Sequence, residues 1–160
     1  NGEITAGLIF DPISEEMFLA ERGQGAYLND RRIRVSSRAK MAQSLFATGI
    51  PFMGRGTEED HDKFLAEMKA VMSVSAGLRR FGSAALDLAY VAAGRFDGFW
   101  ESGLQPWDMA AGILIVREAG GLVSDLSGRN RMVESGSIVA ANPHLQQDLR
   151  TLINGAKTED

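Results

Sequence analysis

The chain has 160 residues, of which 44% are hydrophobic and 24% charged. That is an ordinary globular balance, with material for one domain or slightly more and for a real core. A net charge of −4 and the absence of cysteine argue against a polyanion partner, disulfides and thiolate chemistry. With two histidines, a zinc site is disfavoured, so a bound metal is expected to be a hard cation held by carboxylates.

Ile4 to Phe10 and Glu16 to Glu21 read as a hairpin around the turn Asp11-Pro12-Ile13-Ser14. Gly23 and Gly25 interrupt the pattern. Tyr27-Leu28 and Ile33-Arg34-Val35 then read as short strands around Asn29-Asp30. Polar and apolar residues alternate poorly here, so a sheet covered on one side at most is expected.

From about Ala39 strands and helices alternate. Ser44 to Thr48 is a strand, and residues 49–54 form a loop. Thr57, with Asp60 three residues on, caps a helix that runs to Ser73 through Phe64, Leu65, Met68, Val71 and Met72. Leu78 to Phe81 is a strand, and Ser83 opens a helix that Gly94 closes. Phe96 to Glu101 is a strand. Asp108 is expected to cap a helix reaching Ala119. Leu122-Val123 and Ser137 to Ala140 are strands, Asn142-Pro143 opens a last helix, and Lys157 to Asp160 is expected to fray.

This order implies an α/β fold. Ligands in such sheets sit outside the carboxyl ends of strands, beside helix N-termini, which picks out Gly82-Ser83-Ala84, Glu101 and Asp108. The N–H groups of the Gly82 turn can hold an anion or hydroxyls, or the small residues can serve close packing alone. Arg79 and Arg80 point to opposite sides of their strand, so one can reach a ligand at its end. A lone Asp108 is most simply a helix cap. Its apolar neighbour Trp107 suggests desolvation, and Ala110, Ala111 and Gly112 leave room for a ligand or another backbone. Glu101 lies seven residues before it. An acid pair on one rim suits a hard divalent cation or a sugar hydroxyl.

Trp107 to Gly112 (WDMAAG), followed by Ile115 to Gly121 (IVREAGG), resembles the second signature of the inositol monophosphatase family. Gly82 to Arg95, Phe96 to Glu101, Gly23 to Asn29 and Val139 to Asn142 resemble the bacterial form of that family, so the similarity covers nearly the whole chain. The resemblance implies the layered α-β sandwich of the inositol monophosphatase and fructose-1,6-bisphosphatase type, lacking its N-terminal part. Residues 1–40 would be strands of an N-terminal α+β domain and residues 41–160 a C-terminal α/β domain. Asp108 would bind Mg²⁺ and touch a substrate hydroxyl, and Glu101 would bind a ring hydroxyl. Gly82, Ser83 and Ala84 would line the substrate pocket, Arg79 would contact substrate, and Leu104, Gln105 and Pro106 would shape the pocket.

The family's first signature, D-P-[IL]-D-G-T, is absent. Asp11-Pro12-Ile13 imitates its start, but Ser14-Glu15-Glu16 follows, so Asp11 reads as a turn residue. Asn1-Gly2-Glu3 reads as a cut inside a longer chain. The expectation is therefore a Mg²⁺-dependent phosphomonoesterase acting on inositol monophosphate or a similar polyol phosphate, cytoplasmic and homodimeric, with no membrane or nucleic-acid partner. This chain would supply the substrate pocket and one metal carboxylate, and would be inactive alone. The rivals are fructose-1,6-bisphosphatase, histidinol-phosphatase or 3′-phosphoadenosine-5′-phosphate phosphatase activity, and a non-catalytic binding protein on the same fold. Of the remaining acids, Asp87 is expected to serve a structural hydrogen bond or the helix dipole, Asp97 to mark a strand start or bulge, and Asp125 to hold a turn. His61 and His144 read as surface residues at helix starts.

Overall fold

The computed structural model describes residues 2–51 and 54–157. Phe52 and Met53 of the expected loop, and the expected frayed tail beyond Lys157, lie outside the described residues.

Strands β1 (Ala6–Asp11), β2 (Glu16–Glu21), β3 (Gly25–Leu28) and β4 (Arg31–Ile33) form an antiparallel meander in sequence order. Asp11 closes the first hairpin as expected: its carboxylate accepts from the Ile13 and Ser14 N–H groups and the Ser14 hydroxyl. Along β1, Gly7, Ile9 and Asp11 are buried while Leu8 and Phe10 are exposed, so one face of this sheet is covered. Arg34 and Val35 lie outside the ladder. The Val35 N–H instead donates to the Ala119 carbonyl, tying the connection to a helix end.

The second sheet has the order β6-β5-β7-β9-β8, from β5 (Leu45–Thr48), β6 (Gly77–Arg79), β7 (Gly98–Ser102), β8 (Leu122–Ser124) and β9 (Ser137–Ala141). β6, β5 and β7 are parallel; β9 and β8 are antiparallel to their neighbours. The sheet is thus mixed, and its parallel part brings three strand carboxyl ends to one edge.

Helices α2 (Ala84–Ala92) and α3 (Pro106–Glu118) lie between the sheets. A single apolar cluster joins Phe18 and Ala26 of the meander to Leu88, Ile113 and Ile115 of the helices and Phe99 and Ile138 of the second sheet. The helices approach closely because Gly112 is bare: a Cβ there would stand 2.7 Å from Leu88 Cβ. Likewise a Cβ on Gly7 would meet the Ala111 carbonyl at 2.9 Å. The small residues after Asp108 therefore admit another helix and strand, which decides between the two readings left open for them.

Helices α1 (Glu58–Met72) and α5 (Gln146–Gly155) cover the other face of the second sheet through Phe46, Val71, Trp100, Leu145, Leu149 and Ile153. α1 starts in the capping box expected at Thr57. The Thr57 Oγ1 accepts from the Asp60 N–H, and the Asp60 carboxylate accepts from the Thr57 N–H. A short helix, α4 (Met132–Ser135), and a helical turn at Met41–Gln43 have no counterpart in the sequence reading. The result is four layers, sheet, helices, sheet, helices, as the α/β expectation requires.

Asp97 does more than start a strand. Buried, it accepts from the Ser36 hydroxyl, Arg38 and the Leu45 N–H, and so pins the connection between the sheets. Asp125 holds its turn as expected, accepting from the Ser127 hydroxyl and the Arg129 N–H. His144 is exposed; half-buried His61 hydrogen-bonds through Nε2 to the Arg55 carbonyl.

Candidate active site

The carboxyl ends of β5, β6 and β7 converge, with Ala47 beside Arg79 and Thr48 beside Trp100. The Thr48 Oγ1 donates to the Trp100 carbonyl at 2.9 Å and fixes the two strand ends against each other. Glu101 follows on β7 and is half-buried. Its carboxyl group lies directly over Gly49, where a Cβ would fall 2.0 Å from Glu101 Cδ. Burial, and then the nearby Asp108 carboxylate, push the Glu101 carboxyl up to about 7, against the pull of Arg55 and Arg80.

Asp108 is not the helix cap that the sequence suggested. Gln105 occupies the N-cap of α3, Pro106 fills the first turn, and Asp108 stands at the third helical position. Its Oδ2 accepts from the Gln105 N–H at 2.8 Å. Trp107 does not shield it, because that side chain is 78% exposed.

Gly82 turns the chain from β6 into α2 with φ +84°, a conformation that glycine adopts without strain. Ser83 caps α2, and its hydroxyl accepts from the Leu86 N–H at 3.4 Å. The two arginines before this turn part company. Arg79 folds back to donate to the Leu78 carbonyl at 2.8 Å. The Arg80 guanidinium packs on the Gly82 turn, with Cζ 3.4 Å from where a Cβ would be. Its charge acts on both Glu101 and Asp87.

Asp87 was expected to serve a structural hydrogen bond or the helix dipole; it stands in the first turn of α2, as the dipole reading has it, and makes no hydrogen bond. It is fully buried in the first turns of α2, and neither carboxyl oxygen has a hydrogen-bond partner. Burial, and then the charge of Glu101, push it up to about 7, with Arg80 opposing. The available signal was a lone charge inside the apolar run Ala84 to Ala93. Arg55 is the site-associated residue that sequence reasoning passed over; Asp87 was given a structural role only, and Arg80 was left as the alternative to Arg79.

A cavity of about 470 Å³ opens beside Glu101, between the Thr48–Pro51 segment, the α1 residues Lys63, Phe64 and Glu67, and Gln105. Of the nine residues expected at the site, Glu101 and Gln105 line this cavity; Arg79, Gly82, Ser83, Ala84, Leu104, Pro106 and Asp108 lie off it. At its back the Trp100 Nε1–H donates to the buried Glu67 carboxylate at 3.1 Å. Among the described residues, no three His, Asp or Glu side chains gather closely enough to hold a metal ion.

The profile of the inositol monophosphatase family matches residues 1–157. The inositol-1-monophosphatase of Rhizobium meliloti is 53% identical over 152 residues, covering 95% of this chain and 56% of its own length. The Nus factor SuhB of Pseudomonas aeruginosa is 49% identical over 153 residues, again covering 95% of this chain and 56% of its own. The crystal structure of the extragenic suppressor protein suhB from Bartonella henselae superposes with a TM-score of 0.92 at 51% identity, covering 96% of this chain and 58% of that one. The chain thus spans a little over half the length of these relatives, and over that span it belongs to the inositol monophosphatase family.

Proposed function

We propose that this chain forms the polyol-binding side, and one metal carboxylate, of a magnesium-dependent phosphomonoesterase acting on inositol monophosphate or a similar sugar or polyol phosphate. The observation that carries the reading is the acid pair: Glu101 and Asp108 on one rim, beside the N-terminus of α2, at the carboxyl ends of parallel strands. Asp108 Oδ1 is a suitable hard donor for Mg²⁺, but one carboxylate is too few. The remaining ligands would come from a segment outside these residues that carries D-P-[IL]-D-G-T. In that protein residues 1–40 would join an N-terminal α+β domain and residues 41–160 form the α/β domain. When bound, the metal supplies Lewis-acid stabilisation of phosphoryl oxygens and a more acidic water.

The chain's own residues bind and orient. Glu101, held over Gly49, accepts a hydrogen bond from a ring hydroxyl. Gly82, Ser83 and Ala84 offer backbone N–H groups and the positive end of α2 to the substrate. Arg79 and Arg80 give the rim positive charge. A homodimer working in the cytoplasm accompanies this reading. Sedimentation of the complete protein tests the first point and cell fractionation the second.

The test is Asp108→Asn in the complete protein. Magnesium-dependent phosphate release from inositol monophosphate should fall at least about 100-fold with the fold retained, since a carboxylate ligand is lost; unchanged activity refutes the metal role. The present 160 residues alone should release no phosphate. A panel of fructose bisphosphate, histidinol phosphate and 3′-phosphoadenosine-5′-phosphate separates the sister activities. The name Nus factor on the Pseudomonas relative favours a second reading, a binding role on the same fold. An altered D-P-[IL]-D-G-T in the complete sequence would shift the balance to it, whereas retention of both Glu101 and Asp108 favours the enzyme.

A further inference from the structure

Asp87 meets the dipole of α2 from its first turn but has no hydrogen-bonding task within the protein. At the fourth position of α2 it is too far along to cap the helix's free N–H groups, which Ser83 serves. It lies in no ion-pair or hydrogen-bond network of the protein, yet it is 0% exposed. A buried carboxyl group with both oxygens unpartnered is costly, and such groups in folded proteins are met by an internal water or another bound polar group. What surrounds it is specific. Its charged neighbours are Glu101, which reaches back over Gly49 from β7, and Arg80, whose guanidinium lies on the Gly82 turn from which α2 starts. No direct hydrogen bond joins Asp87 to either. A water that meets the two unpartnered Asp87 oxygens and one or both of these neighbours would have the two to four partners that a buried water requires.

We propose that Asp87 is a positioning residue: with Arg80 it holds one internal water that hydrogen-bonds to Glu101 and fixes the Glu101 carboxyl group in the orientation a substrate hydroxyl meets. This rests on the polyol-phosphatase reading above. Gly49 restrains Glu101 from one side only by leaving space, so the carboxyl group needs a polar contact to choose one rotamer within that space. The water supplies it from the helix side, and Asp87 supplies the water site. Because Asp87 acts on the group that binds ring hydroxyls, its influence falls on recognition of the polyol and spares the phosphoryl group.

The experiment compares Asp87→Leu and Asp87→Asn with the wild type in the complete protein, in magnesium, on inositol monophosphate and on an aryl phosphate that carries no polyol hydroxyl. Asp87→Leu should raise KM for inositol monophosphate about tenfold, the worth of one hydrogen bond to a charged group, with kcat and KM for the aryl phosphate unchanged. Asp87→Asn keeps a polar group of the same shape and should restore most of the loss, which guards against misfolding of the leucine variant. Adding Asp87→Leu to Glu101→Gln should cost nothing further. Equal KM changes on both substrates, or additive losses in the double variant, overturn the proposal. A high-resolution crystal structure of the complete protein should show one ordered water within hydrogen-bond distance of Asp87 and Glu101. Its absence overturns the proposal whatever the activity. Its presence in a protein that hydrolyses neither substrate sinks the phosphatase reading alone.

Discussion

Glu101 occupies the space that a side chain on Gly49 would need: a Cβ there would lie 2.0 Å from both Glu101 Cδ and Oε1. The contact pairs the ends of two parallel strands, since Thr48 and Trp100 are register partners. Gly49→Ala must therefore expel the Glu101 carboxyl group from its seat. In the complete protein this should lower kcat/KM for a polyol phosphate on the order of 10- to 100-fold, the usual penalty of misplacing a substrate-positioning group. Steady-state kinetics checks it. An aryl phosphate without hydroxyls should be affected far less, and equal losses would show that the glycine serves the backbone instead.

That relationship also marks what the sequence could not express. Glu101, Asp108 and the Gly82 turn were legible because each has a local signature: a strand end, an acid before an Ala/Gly-rich helix, a glycine before a cap. The element order was legible because apolar periodicity and turn residues are local too, and every element except α4 and the turn at Met41–Gln43 overlaps one that this grammar expects. The Gly49–Glu101 contact joins residues 52 positions apart and has no local signature. The same holds for Arg80, which differs from Arg79 only in the side of the strand it leaves. Asp108 was misplaced as a cap because Gln105 and Pro106 begin the helix three residues earlier. Trp107 was misread because an aromatic residue beside a charge says nothing about which way it points.

Gly112 sets the distance between α2 and α3. Gly112→Ala would put a methyl group 2.5 Å from Leu88 Cδ1 and 2.7 Å from its Cβ. The helices must separate or Leu88 must leave its rotamer, at a cost of roughly 1–3 kcal/mol in unfolding free energy. Leu88→Ala alone opens a cavity. Combined with Gly112→Ala it should be less destabilising than the sum of the two, because the contacts of the new methyl group with Leu88 Cδ1 and Cγ are gone, although the 2.7 Å approach to Cβ remains for the helices to relieve. Urea denaturation of the four proteins checks the non-additivity.

Trp100 and Glu67 fasten β7 to α1 behind the cavity. Trp100→Phe keeps most of the apolar contact but removes the donor to a carboxyl group that burial already pushes upward. Glu67 would then lack its partner, and stability should fall by about 1–3 kcal/mol. Glu67→Gln keeps an acceptor for the indole N–H without the buried charge, and should be neutral or mildly stabilising above neutral pH. A loss from Glu67→Gln equal to that from Trp100→Phe would count against this account.

The raised Asp87 carboxyl gives stability a defined pH dependence. An aspartate in the unfolded chain titrates near about 3.9. In the folded protein Asp87 is pushed up to about 7, chiefly by burial and then by Glu101. Between those values the folded state binds the proton that the unfolded state has released, so stability declines as pH rises and levels off once Asp87 ionises in both states. The contribution is fully present below about pH 4 and lost above about pH 7, with a size of roughly 2–4 kcal/mol. Asp87→Asn cannot ionise and should remove that slope. The variant should be more stable than the wild type at pH 8 and nearly equal to it at pH 4, measured by chemical denaturation of the complete protein without added metal. Glu101, raised for related reasons, should leave a smaller slope of the same sign in the variant. A variant that is less stable than the wild type at pH 8 would mean that contacts of the ionised carboxylate with Arg80 and an internal water outweigh the cost of burying its charge, and would refute this account.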